Sequence, residues 1–332
     1  MRRSGTSSTV LAALVGTLLT GCVADRLEDE WAVTLEQMEG RPLVVADSLP
    51  PRDAVGIGRE MAPYLLFSRP LGPTESVTLT LEGPDGPVAT QPRRDSDDLG
   101  VRLVPPLLLS DAQYTGTVQL LGAPATPLDY TTEAPAGPAF NMSTGLEVEA
   151  FGAGAGQLGV VNALFQPGVF PLWILRVDGL GEPASLAGPL EVRFAPGRID
   201  EEVAPHHVVH VEWGFVSVFS DVTATDGRID HTAPSLFLPL WSSEAVHLLR
   251  MTDVRLTGTM SVDGAVSVPQ LTLTGVLGTR SLRALSRASE GWRLAIDGAR
   301  LDVDTNGNGV PDAATFTFST TPTAVDPTDI DG

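Results

Sequence analysis

The sequence predicts an all-β chain: two antiparallel sandwiches in tandem, the second of sandwich or jelly-roll type. Gly and Pro, 34 and 27 of 332 residues, are spread between short β-branched runs, a texture of strands and tight turns rather than helices. Strand-like runs such as "ESVTLTLEG", "VRLTGTMSV" and "ATFTFST" alternate with turn residues. Within one of them, Val77, Leu79 and Leu81 face one way while Thr78, Thr80 and Glu82 face the other, the period of a half-buried strand. The length suits about two domains at ~100–200 residues each, and 42% apolar residues supply their cores.

Residues 47–135 form the first unit. Its runs include "SLPPRDAVGI", "LLFSRPL", "ESVTLTLEGPDGPVAT" and "YTGTVQL" before "YTT", with Asp85-Gly86 as a hairpin signal. The segment resembles the bacterial Ig-like domain of S-layer and other surface proteins. The likeness rests on "SLPPRDAVGI" as first strand, on "LLFSRPL" where the family has a Phe-Ser-x-Pro turn, and on "YTGTVQL" before the closing "YTT". Gly72 stands where the family usually carries Asp. The resemblance implies an Ig-like sandwich serving as spacer or display module, with no catalytic residue.

Residues 136–322 form the second unit, again rich in strand patterns, including "FPLWILRVDG", "HHVVHVEWGFVSVFS", "AVSVPQLTLTGVL" and "WRLAIDGARLDV". Asp226-Gly227, Asp263-Gly264 and Asp297-Gly298 are turn candidates. "SLRALSRASEG" predicts one short helix, with Ser281 as N-cap and Gly291 just past its end. About eight strands suit a second sandwich or jelly roll. Residues 323–332, with Pro327 and four acidic or glycine positions among them, are expected to be a flexible tail.

At the amino end, Arg2-Arg3 and a polar spacer precede an apolar run from Val10 to Leu19. That run is too short for a spanning helix, which needs ~20 residues, and has the form of a signal-peptide core. Leu19, Thr20, Gly21 and Cys22 resemble the bacterial lipobox at every position. The resemblance implies removal of residues 1–21, a diacylglyceryl thioether on Cys22, and acylation, typically palmitate, of the new amino group. Two or three acyl chains hold a protein stably, at ~0.8 kcal/mol per buried methylene. Val23 after the cysteine fits outer-membrane sorting. Residues 22–46 then read as a lipidated tether, in which Leu27, Trp31, Leu35 and Met38 fall near helical spacing.

Every basic residue other than histidine is Arg, 21 in all, against 41 acids, for a net charge of −20. Removing Arg2 and Arg3 leaves 19 Arg against 41 acids, or −22. Such a balance excludes nucleic acid as partner, because a phosphate backbone needs a basic face. Cys22 is the only cysteine, so no internal disulfide forms and stability rests on packed cores.

The sharpest local motif is "DVDTNGNGVPDA". Asp304, Asn306, Asn308, Gly309 and Asp312 occupy positions 1, 3, 5, 6 and 9 of an EF-hand-type calcium loop. The run resembles the repeats of thrombospondin type 3 modules. Position 12 is Thr315 rather than a bidentate Glu, so weak binding, about 10⁻⁴–10⁻³ M, is the expectation. A turn built on Asn-Gly-Asn-Gly alone explains the same residues. His206, His207 and His210 form a second cluster; on one strand His206 and His210 lie roughly 13 Å apart, too far to share a metal without His231 or His247. There is no G-x-S-x-G elbow and no H-E-x-x-H helix, and the glycines of "FGAGAGQLG" lack a phosphate-loop Lys.

The expected function is therefore a membrane-anchored envelope or surface lipoprotein, a structural, adhesive or ligand-binding module rather than an enzyme. Its expected partners are the membrane and an envelope protein or glycan. The alternatives are a carbohydrate-active hydrolase with carboxylates on different strands, or a periplasmic assembly or lipid-handling accessory.

Overall fold

The structure, a computed structural model, describes residues 22–51, 54–57, 61–104, 108–109, 112–120, 126–132, 138–141, 147–150, 172–180, 186–201, 207–211, 216–241, 246–263 and 265–328. The first unit contains β1 (Val45–Leu49), β2 (Ala54–Ile57), β3 (Tyr64–Phe67), β4 (Val77–Gly83), β5 (Gly86–Val88), β6 (Gln91–Arg94), β7 (Gly100–Val104), β8 (Ala112–Leu120) and β9 (Thr126–Thr132). One sheet has the order β1-β3-β7-β6 and the other β2-β9-β8-β4-β5. Lettered in chain order, with β2 as a second half of strand A and β5 as an added C′ strand hairpinned to C, these are the ABED and GFC sheets of an Ig-type sandwich.

A second feature of that fold is present. The Leu109 amide donates to the Tyr114 hydroxyl at 2.8 Å, tying the start of β8 to the chain just upstream as a tyrosine corner does. Antibody domains cross-link their B and F strands by a disulfide; here β3 and β8 bury Leu65 and Val118 completely instead. Strand β4 alternates buried and exposed along its length as predicted, with Val77, Leu79 and Leu81 inside. The hairpin after it turns on Pro84-Asp85, one residue earlier than the Asp-Gly signal, with Gly86 at φ +105° taking the left-handed position.

The second unit contains β10 (Ala139–Asn141), β11 (Glu147–Ala150), β12 (Leu172–Asp178), β13 (Leu190–Glu201), β14 (His207–Val211), β15 (Ser217–Val222), β16 (Ala224–Thr225), β17 (Arg228–Trp241), β18 (Val246–Asp263), β19 (Ala265–Leu277), β20 (Ala314–Thr320) and β21 (Thr323–Thr328). One sheet runs β11-β20-β19-β18-β17-β16, antiparallel throughout. The other runs β12-β10-β21-β14-β13-β15, and an added β12–β13 pairing closes part of it on itself. Phe140, Phe194 and Phe219 from this sheet share one core with Leu273, Phe316 and Phe318 from the other. The Asp226-Gly227 turn forms as expected, both residues at positive φ.

Four segments depart from the sequence reading. The expected tether opens as helix α1 (Val23–Met38). Its Leu27 is fully buried in the core of the second unit, and its Trp31 is 6% exposed. The expected tail forms β21, lying antiparallel to β10 and parallel to β14, with Val325 buried. Pro and Asp discouraged a strand there, but two neighbouring strands supply the pairing. The single predicted helix is two, α2 (Thr279–Ala288) and α3 (Glu290–Asp297), broken at extended Ser289. Ser281 is not a cap; its hydroxyl donates to the Arg250 carbonyl at 2.9 Å, while Ser289 accepts from the Trp292 amide and caps α3.

Helix α3 also occupies the start of the run "WRLAIDGARLDV", whose pattern predicts a strand. Trp292, Leu294 and Ile296 suggest a period of two, yet Trp292, Ala295, Ile296 and Ala299 are the buried set. That spacing is helical, and it leaves Leu294 58% exposed.

Between the two units lies an apolar seam of Trp31 with Leu49, Tyr64, Leu66, Leu99 and Phe237. Helix α1 thus packs on both units at once. Asp47 of β1 reinforces the seam by accepting from Ser235 at 2.6 Å and Arg250 at 2.7 Å.

Candidate functional site

Helix α2 carries Arg280, Arg283 and Arg287 at i, i+3 and i+7, a spacing that sets them on one face. Across from them is the tight β6–β7 turn with Asp95, Ser96 and Asp97. Tyr64 of β3, Arg102 of β7 and His247 of β18 complete a cleft of about 260 Å³ between the two units.

The acidic turn is shaped for its task. Asp98 sits at φ +54°, and the Leu99 amide donates to Asp97 at 3.1 Å. The Tyr64 hydroxyl donates to Asp95 at 2.5 Å. Gly100 leaves room for that pair, since a Cβ there would collide with the Tyr64 hydroxyl and the Asp95 carboxylate.

Arg280 spans the cleft floor, donating to Asp97 from Nε at 2.7 Å and from Nη2 at 3.1 Å, and to Asp95 at 2.7 Å. Burial by itself would raise the Asp97 carboxyl, but the hydrogen bonds and charge of Arg280 outweigh it and hold the group below its ordinary value. Burial likewise opposes the charge on Arg280, yet Asp97, Tyr64 and Asp95 keep it firmly protonated. Burial pushes the Tyr64 hydroxyl well above the ordinary phenol range, so it remains a donor.

The rim is built differently. Glu28 of α1 accepts from Arg283 at 2.7 and 3.0 Å and from Arg287 at 2.7 Å, so one carboxylate serves two guanidinium groups. Arg283 also stacks over the Trp31 ring at 4.9 Å. Arg287 is 58% exposed at the mouth. Burial lowers both Arg102 and His247, so His247 is neutral at pH 7. The lining therefore holds four guanidinium groups against two carboxylates, with Glu28 behind. On a chain of net charge −20, this is a cationic pocket suited to an anion. Of its lining residues the sequence pointed only to Ser281, as a helix cap, and His247, as a candidate metal partner; the arginine spacing on α2 was the available signal for the rest.

The residues expected to carry the lipid and the calcium lie elsewhere. Cys22 sits immediately before α1, and its thiol donates to Asp297 of α3, which also accepts from the Ala24 amide at 3.1 Å. Asp304 accepts from the Gly307 and Gly309 amides, both at 2.7 Å. Asn306 and Asn308 accept from the Asn308 and Val310 amides, and their own amide groups both donate to Glu30 of α1, at 3.0 and 2.8 Å. Asp312 is fully buried, accepting from the Thr305 amide and hydroxyl and from Thr279. Asp304, Asn306 and Asn308 thus form one exposed turn, while Asp312 points into the body.

His206 lies outside the described residues, as do Leu19, Thr20, Gly21 and the glycines at 152–159. His207 and His210 lie on β14, His231 packs edge-on to Phe219 at 5.8 Å, and His247 lines the cleft. Among the described residues, no group of three or more His, Cys, Asp or Glu is placed to hold a metal, and no helix is long and apolar enough to cross a membrane. Compared with protein-family models and with curated proteins, the sequence matches none.

Proposed function

We propose that the chain is a membrane-anchored envelope lipoprotein of the outer membrane, held through Cys22, whose body is a non-catalytic ligand-binding module. The cleft between the two units takes a ligand bearing carboxylate or phosphate groups, free or displayed on an envelope protein or glycan. The observation that carries this reading is the excess of guanidinium groups in one concave site on an otherwise acidic protein. A hydrolase needs one carboxyl that keeps its proton beside one that does not. Here Asp95 and Asp97 both hold Arg280, and Asp97 is held ionised, which favours binding over acid catalysis.

Titration of the full chain with inorganic phosphate and with citrate, followed by calorimetry, tests the cleft. Arg287→Ala removes one charge-assisted contact at the exposed mouth and is expected to weaken binding by about tenfold or more, at 1.5–3 kcal/mol per such bond. The melting temperature should fall only slightly, because Arg287 is exposed and Arg283 keeps Glu28 paired. Equal affinity in the wild type and the variant would sink the proposal.

Calcium at the 304–312 loop is a separate proposal. Asp304, Asn306 and Asn308 offer oxygens on one turn, and Glu30 brings a carboxylate that Thr315 does not. In the arrangement described, each of these side-chain oxygens accepts a loop amide, and Asp312 would have to leave Thr279 and Thr305 to join a shell. A cation that binds should raise the melting temperature in millimolar CaCl₂, and Asp304→Ala should abolish the rise. A wild-type melt indifferent to calcium would end this reading.

A further inference from the structure

The lipid anchor has no slack behind it. Helix α1 begins at Val23, directly after Cys22, and is fastened along its whole length. Leu27 is buried in the core, Glu28 pairs with Arg283 and Arg287, Glu30 holds Asn306 and Asn308, and Gln37 donates to the Asn306 carbonyl at 2.9 Å. The first turn of α1 lacks a side-chain cap of its own. Asp297 supplies one from α3, accepting from the Ala24 amide and the Cys22 thiol. Cys22 is therefore fixed against the C-terminal end of α3.

The surface around that point is not purely polar. Leu294 precedes Asp297 by three residues on α3 and is 58% exposed. Arg293, 60% exposed, reaches towards Asp297 at 3.8 Å. Arg26, one turn along α1 from Cys22, donates to the Pro311 carbonyl beside Val310, which is 38% exposed. Among the described residues, Leu294 is the most exposed large apolar side chain.

We infer that the α1–α3 end of the body rests directly on the bilayer, with Leu294 and Val310 in the headgroup layer and Arg293 and Arg26 against lipid phosphates. The inference depends on the acylation of Cys22 proposed above. A diacylglyceryl group on that sulfur places it within the headgroup region, only about 5–7 Å deep on each side of the hydrocarbon core. Acylation replaces the thiol proton and so ends that bond to Asp297, but the Ala24 amide still donates to Asp297 and Leu27 stays buried, so Cys22 remains at the end of α3 and its neighbours enter the same layer. Long basic side chains at such a boundary lay their stems on apolar surface and extend their heads to phosphate. This is a docked lipoprotein, not one standing off on a tether.

The test uses the full chain, matured in cells and reconstituted in phosphatidylethanolamine–phosphatidylglycerol vesicles. Acylation occupies the only native thiol, so Leu294→Cys, Val310→Cys and Asp85→Cys each give a unique site for an environment-sensitive fluorophore. Intact mass reports the acyl groups, and headgroup-level spin-labelled lipids report depth. Quenching severalfold stronger at 294 and 310 than at 85, reduced by Asp297→Ala, supports the docked arrangement. An acylated chain quenched equally weakly at all three sites overturns it while leaving the anchor standing. A chain without acyl mass overturns the anchor and the docking together.

Discussion

Replacing Trp31 by Ala should destabilise the folded chain by about 3–5 kcal/mol, the range for removing a large buried aromatic. Trp31 is 6% exposed and packs with Leu49, Tyr64, Leu66, Leu99 and Phe237, residues drawn from both units. The vacated space cannot be closed by one side, because its walls belong to separate sheets and a helix. Arg283 would also lose its aromatic platform at 4.9 Å, a contact of about 0.5–2 kcal/mol. Trp31→Phe keeps an aromatic ring in the seam and should lose much less. Urea unfolding followed by far-ultraviolet circular dichroism measures both variants. A Trp31→Ala loss below about 1 kcal/mol would show that α1 is not a structural part of the seam.

Arg280→Ala is the second large effect, about 3 kcal/mol, because it strands Asp97 and Asp95 without their cation. Its pH dependence is more diagnostic than its size. In the wild type Asp97 is held below 3.8, so its stabilising contribution is present above that value and fades as the pH falls through the lowered one. Without Arg280 the dominant influence left on Asp97 is burial, which raises its carboxyl. The variant is then penalised at neutral pH and relieved on acidification. The gap in urea midpoint between wild type and variant should therefore narrow from pH 7 to about pH 3. A gap that stays constant would mean that Arg280 acts through packing and not through the carboxylates.

Strand patterns were legible where one face is buried and the other wet. β4, β8 and β20 alternate inside and out along nearly their full length, and their sequences say so. Helix α3 was not legible as a helix, because Trp292, Leu294 and Ile296 satisfy a period of two before burial chooses a period near four. Strand β21 was hidden for the opposite reason. Its own residues are poor strand formers, and only β10 and β14, brought in from distant parts of the chain, make it one.

The cleft was half written in the sequence. Arg280, Arg283 and Arg287 announce a charged helix face by spacing alone. What they face is Asp95 and Asp97, which precede Arg280 by more than 180 residues, and nothing local connects those stretches. Tyr64 and Gly100 belong to the same arrangement and are ordinary residues until the Asp95 contact is seen. The calcium-like run shows the converse: a motif spelled out in sequence whose fourth side chain, Asp312, folds inward to accept from Thr279 and Thr305.

The fastening of α1 also bears on the order in which the chain can fold. Its partners, Arg283, Asp297, Asn306 and Asn308, follow it by 255 to 278 residues. Until those residues have emerged, the helix has no surface on which to bury Leu27, and a 16-residue segment is only marginally helical by itself. The Ig-type sandwich can close earlier, since its strands pair within their own segment. The amino-terminal segment is thus the last part to be locked. Completion of the second unit then acts as a latch, fixing α1 only once α3 and the 304–312 loop are in place.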